Sequence, residues 1–176
     1  RICVEYSLSR ALFIRAQGGF VLDQALLERV EERMRELSAQ ALPIEKRSIG
    51  TDDAIELFQR ERLLHKAQLL SFRIDSHVNV YSLDGFVDYF YGYMVPDTGY
   101  IKCFGLQLFE DGFVLRLPTR GDPDHLGDFL PSMKVFRELS ESNMRAGALN
   151  VSNVAELNAV VSQGNTTPLI LAYEAM

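Results

Sequence analysis

FVDYFYGYMVPDTGYIKCFGL, residues 86–106, is the stretch whose reading decides the fold of this chain. Tyr89, Tyr91 and Tyr93 alternate with Asp88 and Phe90 at the two-residue period of a strand, and Gly92, Pro96 and Gly99 then turn the chain. Upstream, His77–Leu83 and Phe86–Tyr91 read as strands joined by Asp84-Gly85, a two-residue loop that suits the twist of an antiparallel hairpin. Downstream, Ile101–Phe109 and Phe113–Leu117 repeat the pattern around Asp111-Gly112. Two hairpins in series argue for an α+β domain, an antiparallel sheet with helices packed on one face, rather than for alternating βαβ units.

The flanks supply those helices. Asp23 is the expected N-cap of a helix over 23–41, whose Leu26, Leu27, Val30, Met34 and Leu37 form one apolar stripe and whose Glu31 and Arg35 make an i,i+4 pair. Thr51 is the expected cap of a second helix with early acidic residues, and a third runs over 61–72 with Leu63, Leu64, Ala67 and Leu70 apolar. Val4–Glu5 and Ala11–Ala16 read as strands around a Ser7-Leu8-Ser9 turn, and Ile44–Ile49 as an exposed strand. After Pro118 the polar connector TRGDPDHLGD leads to helices over 131–146, 154–162 and 168–176, which divides the chain into 1–120 and a helical extension, 121–176.

Composition narrows the function classes. The 176 residues carry 24 acidic against 18 basic side chains, and a net charge of −6 disfavours nucleic acid, tRNA included, as a partner. No apolar run nears the roughly 20 residues of a membrane span, so no membrane partner is expected. Cys3 and Cys103 match no metal spacing and read as free thiols, which with the missing secretory signal points to the cytoplasm. The chain opens at Arg1 without methionine and reads as a fragment or a processed chain.

On these residues the chain resembles a known family. The 23–41 helix, Lys66 within LHKAQLL, and VDYFYGYMVPDTGYIKCFGL are similar to the second additional domain of threonyl-tRNA synthetases, shared with alanyl-tRNA synthetases and their editing relatives. There the matching run carries an aspartate, Cys-x-x-x-His, a glycine and Val-Pro; here Asp88, Gly92, Val95, Pro96, Phe104 and Leu106 fit. Phe90 stands in place of the cysteine and Met94 in place of the histidine, and the family's H-x-x-x-H would fall before Arg1. A phenyl ring and a thioether cannot take a proton, and Phe90 offers a metal no lone pair, so neither a catalytic nor a metal-binding residue is expected.

A second resemblance covers nearly the whole chain. VEYSLSRALF, GGFVLDQALLERVEERM, LPIEKRSI, FVLRLPTRGDP and LNVSNVAELN look like the amino-terminal half of bacterial nucleoside kinases of the uridine kinase family, which place this domain ahead of a P-loop kinase module. No G-x-x-x-x-G-K-[ST] occurs here, so ATP or GTP and Mg are expected only with that absent module, which would be this chain's partner. The resemblance implies a non-catalytic accessory domain; an aminoacyl-tRNA editing deacylase and a pure protein-docking module are the alternatives.

The candidate ligand-binding residues for a small molecule are Lys66, Asp88, Phe90, Tyr91, Tyr93 and Met94. Lys66 either holds a carboxylate or phosphate or is paired with an acid such as Asp88. Tyr89, Tyr91 and Tyr93 would share one strand face, as half-buried sheet or as a platform for a base. Phe90 and Met94 are expected to fill the former pocket.

Overall fold

A computed structural model describes residues 2–16 and 18–174. The chain is α+β, and its antiparallel strands form two sheets in two compact units, Arg1–Ile44 with Val95–Glu141 and Glu45–Met94 with Ser142–Met176.

In the first unit β1 (Ile2–Leu8), β2 (Ala11–Ala16), β6 (Gly105–Phe109) and β7 (Gly112–Arg116) are ordered β1-β2-β7-β6. The two-residue period of β2 sends alternate side chains to opposite faces. Ala11 and Phe13 pack with Leu8, Val114 and Phe136, while Ile14 packs with Phe113 and with Leu27 of α1 (Gln24–Ala39). Phe136 lies on α4 (Met133–Ala148) and meets Phe13 edge-on at 5.3 Å between ring centroids. The 2–16 hairpin turns at Ser9-Arg10, both with positive φ, and not at Ser7-Leu8-Ser9, because Leu8 is a buried strand residue.

The 105–116 hairpin, by contrast, turns one residue earlier than its glycine suggested. Glu110 takes the positive φ of the turn, and Gly112 opens β7 because a Cβ there would lie 2.4 Å from the Ile14 carbonyl oxygen. Residues 101–104 form no strand, since they are held to the end of α1 instead. Buried Thr98 donates from its hydroxyl to the Leu37 carbonyl (2.5 Å) and accepts from the Leu42 N–H (2.9 Å), and Ser38 donates to the carbonyls of Thr98 and Ile101. The bond to Leu37 satisfies a carbonyl that the helix end leaves open, and the Ser38 bonds tie the 98–101 segment to that end.

Asp23 caps α1 as the sequence requires, accepting from the Leu26 N–H at 2.8 Å. Glu31 forms the expected pair with Arg35 (2.6 Å) and also accepts the Leu106 N–H of β6 at 2.6 Å, tying helix to sheet.

In the second unit β3 (Glu45–Gly50), β4 (His77–Leu83) and β5 (Phe86–Tyr89) form the other sheet, with α2 (Thr51–Arg60) and α3 (Leu64–Ser71) on one face. Ala54, Phe58, Ala67 and Leu70 bury against Val78 and Val80. The helices are separate because Arg62 takes a left-handed φ of 57°, which shortens the 61–72 helix at its start. Thr51 is the first residue of α2 and not its cap; its hydroxyl donates to the Asp75 carbonyl at 2.5 Å. Asp84 (φ 47°) and Gly85 (φ 81°) make the β4–β5 turn with the paired positive φ such hairpins need. The C-terminal helices are α5 (Val154–Ser162), capped by Asn153 through the Glu156 N–H at 3.0 Å, and α6 (Thr167–Glu174). Among the described residues no helix is long and apolar enough to cross a membrane.

Two outcomes follow. Gly112→Ala forces a methyl group into the Ile14 carbonyl and is expected to cost about 1–3 kcal/mol in urea unfolding. For Glu31, burial favours the protonated acid, but the Leu106 N–H and the Arg35 guanidinium outweigh it and hold the carboxyl below its usual value. That contribution is present above the unfolded-state pKa and is lost as pH falls through the depressed folded-state value. Glu31→Gln should therefore be less stable than the parent at neutral pH, and the gap between their urea midpoints should close with acidification.

Candidate functional site

The site candidates lie in the second unit, around the face of its sheet opposite α2 and α3. Register sets that face: Lys46 of β3 is paired with Tyr81 of β4, and Tyr81 with Asp88 of β5, so the three side chains leave the sheet on the same side. Val80 and Tyr89, one step along, point to the helices.

Tyr81 is only 7% exposed, and Phe90 and Gly92 lie against it. Its hydroxyl donates to the Gly92 carbonyl at 2.9 Å, and its ring meets Phe90 edge-on with centroids 6.4 Å apart. A side chain at Gly92 would crowd that ring, since a Cβ there would lie 3.3 Å from it. The chain therefore leaves the sheet after Tyr89. Tyr89 stays half-buried on the helix side, while Tyr91 (82% exposed) and Tyr93 (92% exposed) belong to the loop. The expected ladder of three tyrosines on one strand face is not formed, because the strand ends before its second rung.

Phe90 and Met94 also depart from expectation: at 49% and 40% exposure they are half-open surface and not the buried filling of a pocket. Lys66 projects from α3 and donates from Nζ to Asp88 Oδ1, which also accepts the Tyr89 N–H at 2.6 Å. Lys66 is thus the paired lysine of the two readings the sequence left open. The ammonium and the carboxylate neutralise each other, and one Asp88 oxygen receives both donors.

Two cations that the sequence reading did not single out complete the surroundings. Arg73, just past α3, donates to the Tyr89 hydroxyl and the Asp75 carboxylate, and its guanidinium lies 5.4 Å from the Tyr91 ring centroid. The hydrogen bond to Asp75 raises its pKa further, so it is always charged. Lys46 places its ammonium 4.9 Å from the Tyr93 ring centroid. At exposed sites each such contact is worth about 0.5–1 kcal/mol. No spacing signals these pairs, which join a strand or a helix end to a loop some 20 to 50 residues away in general only through folding.

Among the described residues no group of three or more His, Cys, Asp or Glu side chains is gathered to hold a metal. An open cavity of about 700 Å³, lined in part by Tyr100, Ile101, Lys102, Cys103, Leu117 and Pro118, belongs to the other unit and includes none of the candidate residues.

Similarity to known proteins covers part of the chain. No family model matches it. Over 80 residues, 46% of the chain, it is 41% identical to the threonine–tRNA ligase of a Geobacter species. Over 82 residues it is 37% identical to that of Methylococcus capsulatus, and over 88 residues, 50% of the chain, 34% identical to that of Porphyromonas gingivalis. These matches span only 13–14% of each relative's length. The chain thus carries a segment similar to threonine–tRNA ligases.

The Lys66–Asp88 pair is partly exposed on both sides, so its net worth is small. A double-mutant cycle with Lys66→Met and Asp88→Asn should return a coupling of about 0.2–1 kcal/mol from urea unfolding, falling as salt is raised.

Proposed function

We propose that this chain is a non-catalytic accessory domain of a uridine kinase-like nucleoside kinase. The longer protein would transfer a phosphoryl group from ATP or GTP, with Mg, to a pyrimidine nucleoside, using a P-loop module that follows this chain. In this reading residues 1–120 are the synthetase-like domain and 121–176 the connector toward the kinase, in a cytoplasmic protein. The domain contributes ligand sensing, inhibition or assembly.

One observation carries the non-catalytic part. Lys66 and Asp88, the two charged groups within the editing-like frame, are bonded to each other, and the neighbouring positions are Phe90 and Met94. Hydrolysis of an aminoacyl ester needs a group to take a proton from water and a donor for the developing oxyanion. A neutralised ion pair beside a phenyl ring and a thioether supplies neither.

The similarity to threonine–tRNA ligases favours one competing reading, an aminoacyl-tRNA deacylase that uses Lys66 and Asp88 with groups outside this chain. Incubation with threonyl-, seryl- and alanyl-tRNA separates the two. The expected result is no release above the rate without protein; release abolished by Lys66→Ala overturns the accessory-domain reading. The kinase parent is tested in the longer protein by ATP- or GTP-dependent phosphorylation of uridine and cytidine, and a coding sequence without a P-loop after Met176 removes it.

A further inference from the structure

The 91–93 segment holds large rings where folding does not require them. Phe90 and Gly92 make contact with buried Tyr81, whereas Tyr91 and Tyr93 are among the most exposed aromatic side chains of the described residues. Each has a cation on one face, Arg73 on Tyr91 and Lys46 on Tyr93, at 5.4 and 4.9 Å from the ring centroids. Their exposure leaves ring surface open to solvent, where a planar heterocycle gains stacking area.

The two cations differ. Arg73 is engaged by Asp75 and the Tyr89 hydroxyl, so its role is to fix the Tyr91 ring and add cation–π attraction. Among the described residues no carboxylate lies within ion-pairing distance of Lys46, and Arg47 follows it on β3. Lys46 therefore keeps its charge for an anion. Tyr91 and Tyr93 are two residues apart, so their Cα atoms lie within about 7 Å of each other, the scale of one nucleotide.

We propose that Tyr91, Tyr93 and Lys46 form a binding site for a nucleoside monophosphate, whose base stacks on a tyrosine ring and whose phosphate is held by the Lys46 ammonium. An aromatic platform beside an unpaired cation matches a ligand with a π-face and an anionic group, and it asks nothing of the neutralised Lys66–Asp88 pair. The site goes beyond the accessory-domain reading and does not depend on which module follows this chain.

Titration calorimetry on the 176-residue chain with UMP, AMP, uridine, inorganic phosphate and a uridylate tetranucleotide tests it. UMP or AMP should bind, uridine and phosphate at least about tenfold more weakly. Tyr91→Leu with Tyr93→Leu should weaken UMP about tenfold or more, while the fold survives with no greater loss of melting temperature than two exposed cation–π contacts account for. Tyr93→Trp, a larger platform, should retain or tighten binding. Lys46→Gln should weaken UMP and leave uridine unchanged. The proposal is overturned by absent UMP and AMP binding at millimolar concentration, by binding that survives loss of both tyrosines, by equal affinity for uridine, or by binding of the tetranucleotide alone. Because the assay reads binding by this chain, its failure leaves the kinase and deacylation experiments unaffected.

Discussion

The burial of Tyr81 is the constraint on which the site depends. A large ring on the sheet face opposite α2 and α3 must be covered, and its hydroxyl must find a partner. Both needs are met by residues 90–94: Phe90 gives its edge and Gly92 its carbonyl. Because the chain is used as a cover it cannot continue as strand, and that change of role after Tyr89 sends Tyr91 and Tyr93 outward and leaves Phe90 and Met94 half-open.

Charge in the same unit is divided into two kinds. Lys66 and Asp88 cancel locally, with the Tyr89 N–H as a further donor to the acid. Lys46 and Arg73 instead rest on rings, and only Arg73 has a carboxylate beside it. The Lys66 and Asp88 charges thus face each other, while the Lys46 cation resting on an exposed ring remains open to solvent and solutes.

The first unit obeys a similar economy of polar groups. Thr98 and Ser38 satisfy carbonyls around the end of α1, and Glu31 reaches from α1 to the Leu106 N–H of β6. Within 101–104, a segment that pairs with no strand, Ser38 bonds the Ile101 carbonyl and Arg35 the Phe104 carbonyl, so both ends are tied to α1.

Much of the fold was legible in the residues alone. The two hairpins, the Asp23 cap, the apolar stripe of α1, the Glu31–Arg35 pair and the 154–162 helix are encoded by neighbours within a few positions, where geometry is set by backbone dihedrals and local bonds. The Lys66–Asp88 pair was legible as one of two options. Other features were not: the division of the strands between two sheets, the start of β7 at Gly112, the end of β5 at Tyr89, and the cations on Tyr91 and Tyr93. Each of these turns on contact between residues far apart in the chain, such as a Gly112 hydrogen against the Ile14 carbonyl or Tyr81 against Gly92. Local propensity can place a strand or a turn, but where a strand must stop is decided by what the next residues are needed to cover, and that demand exists only once the chain has folded.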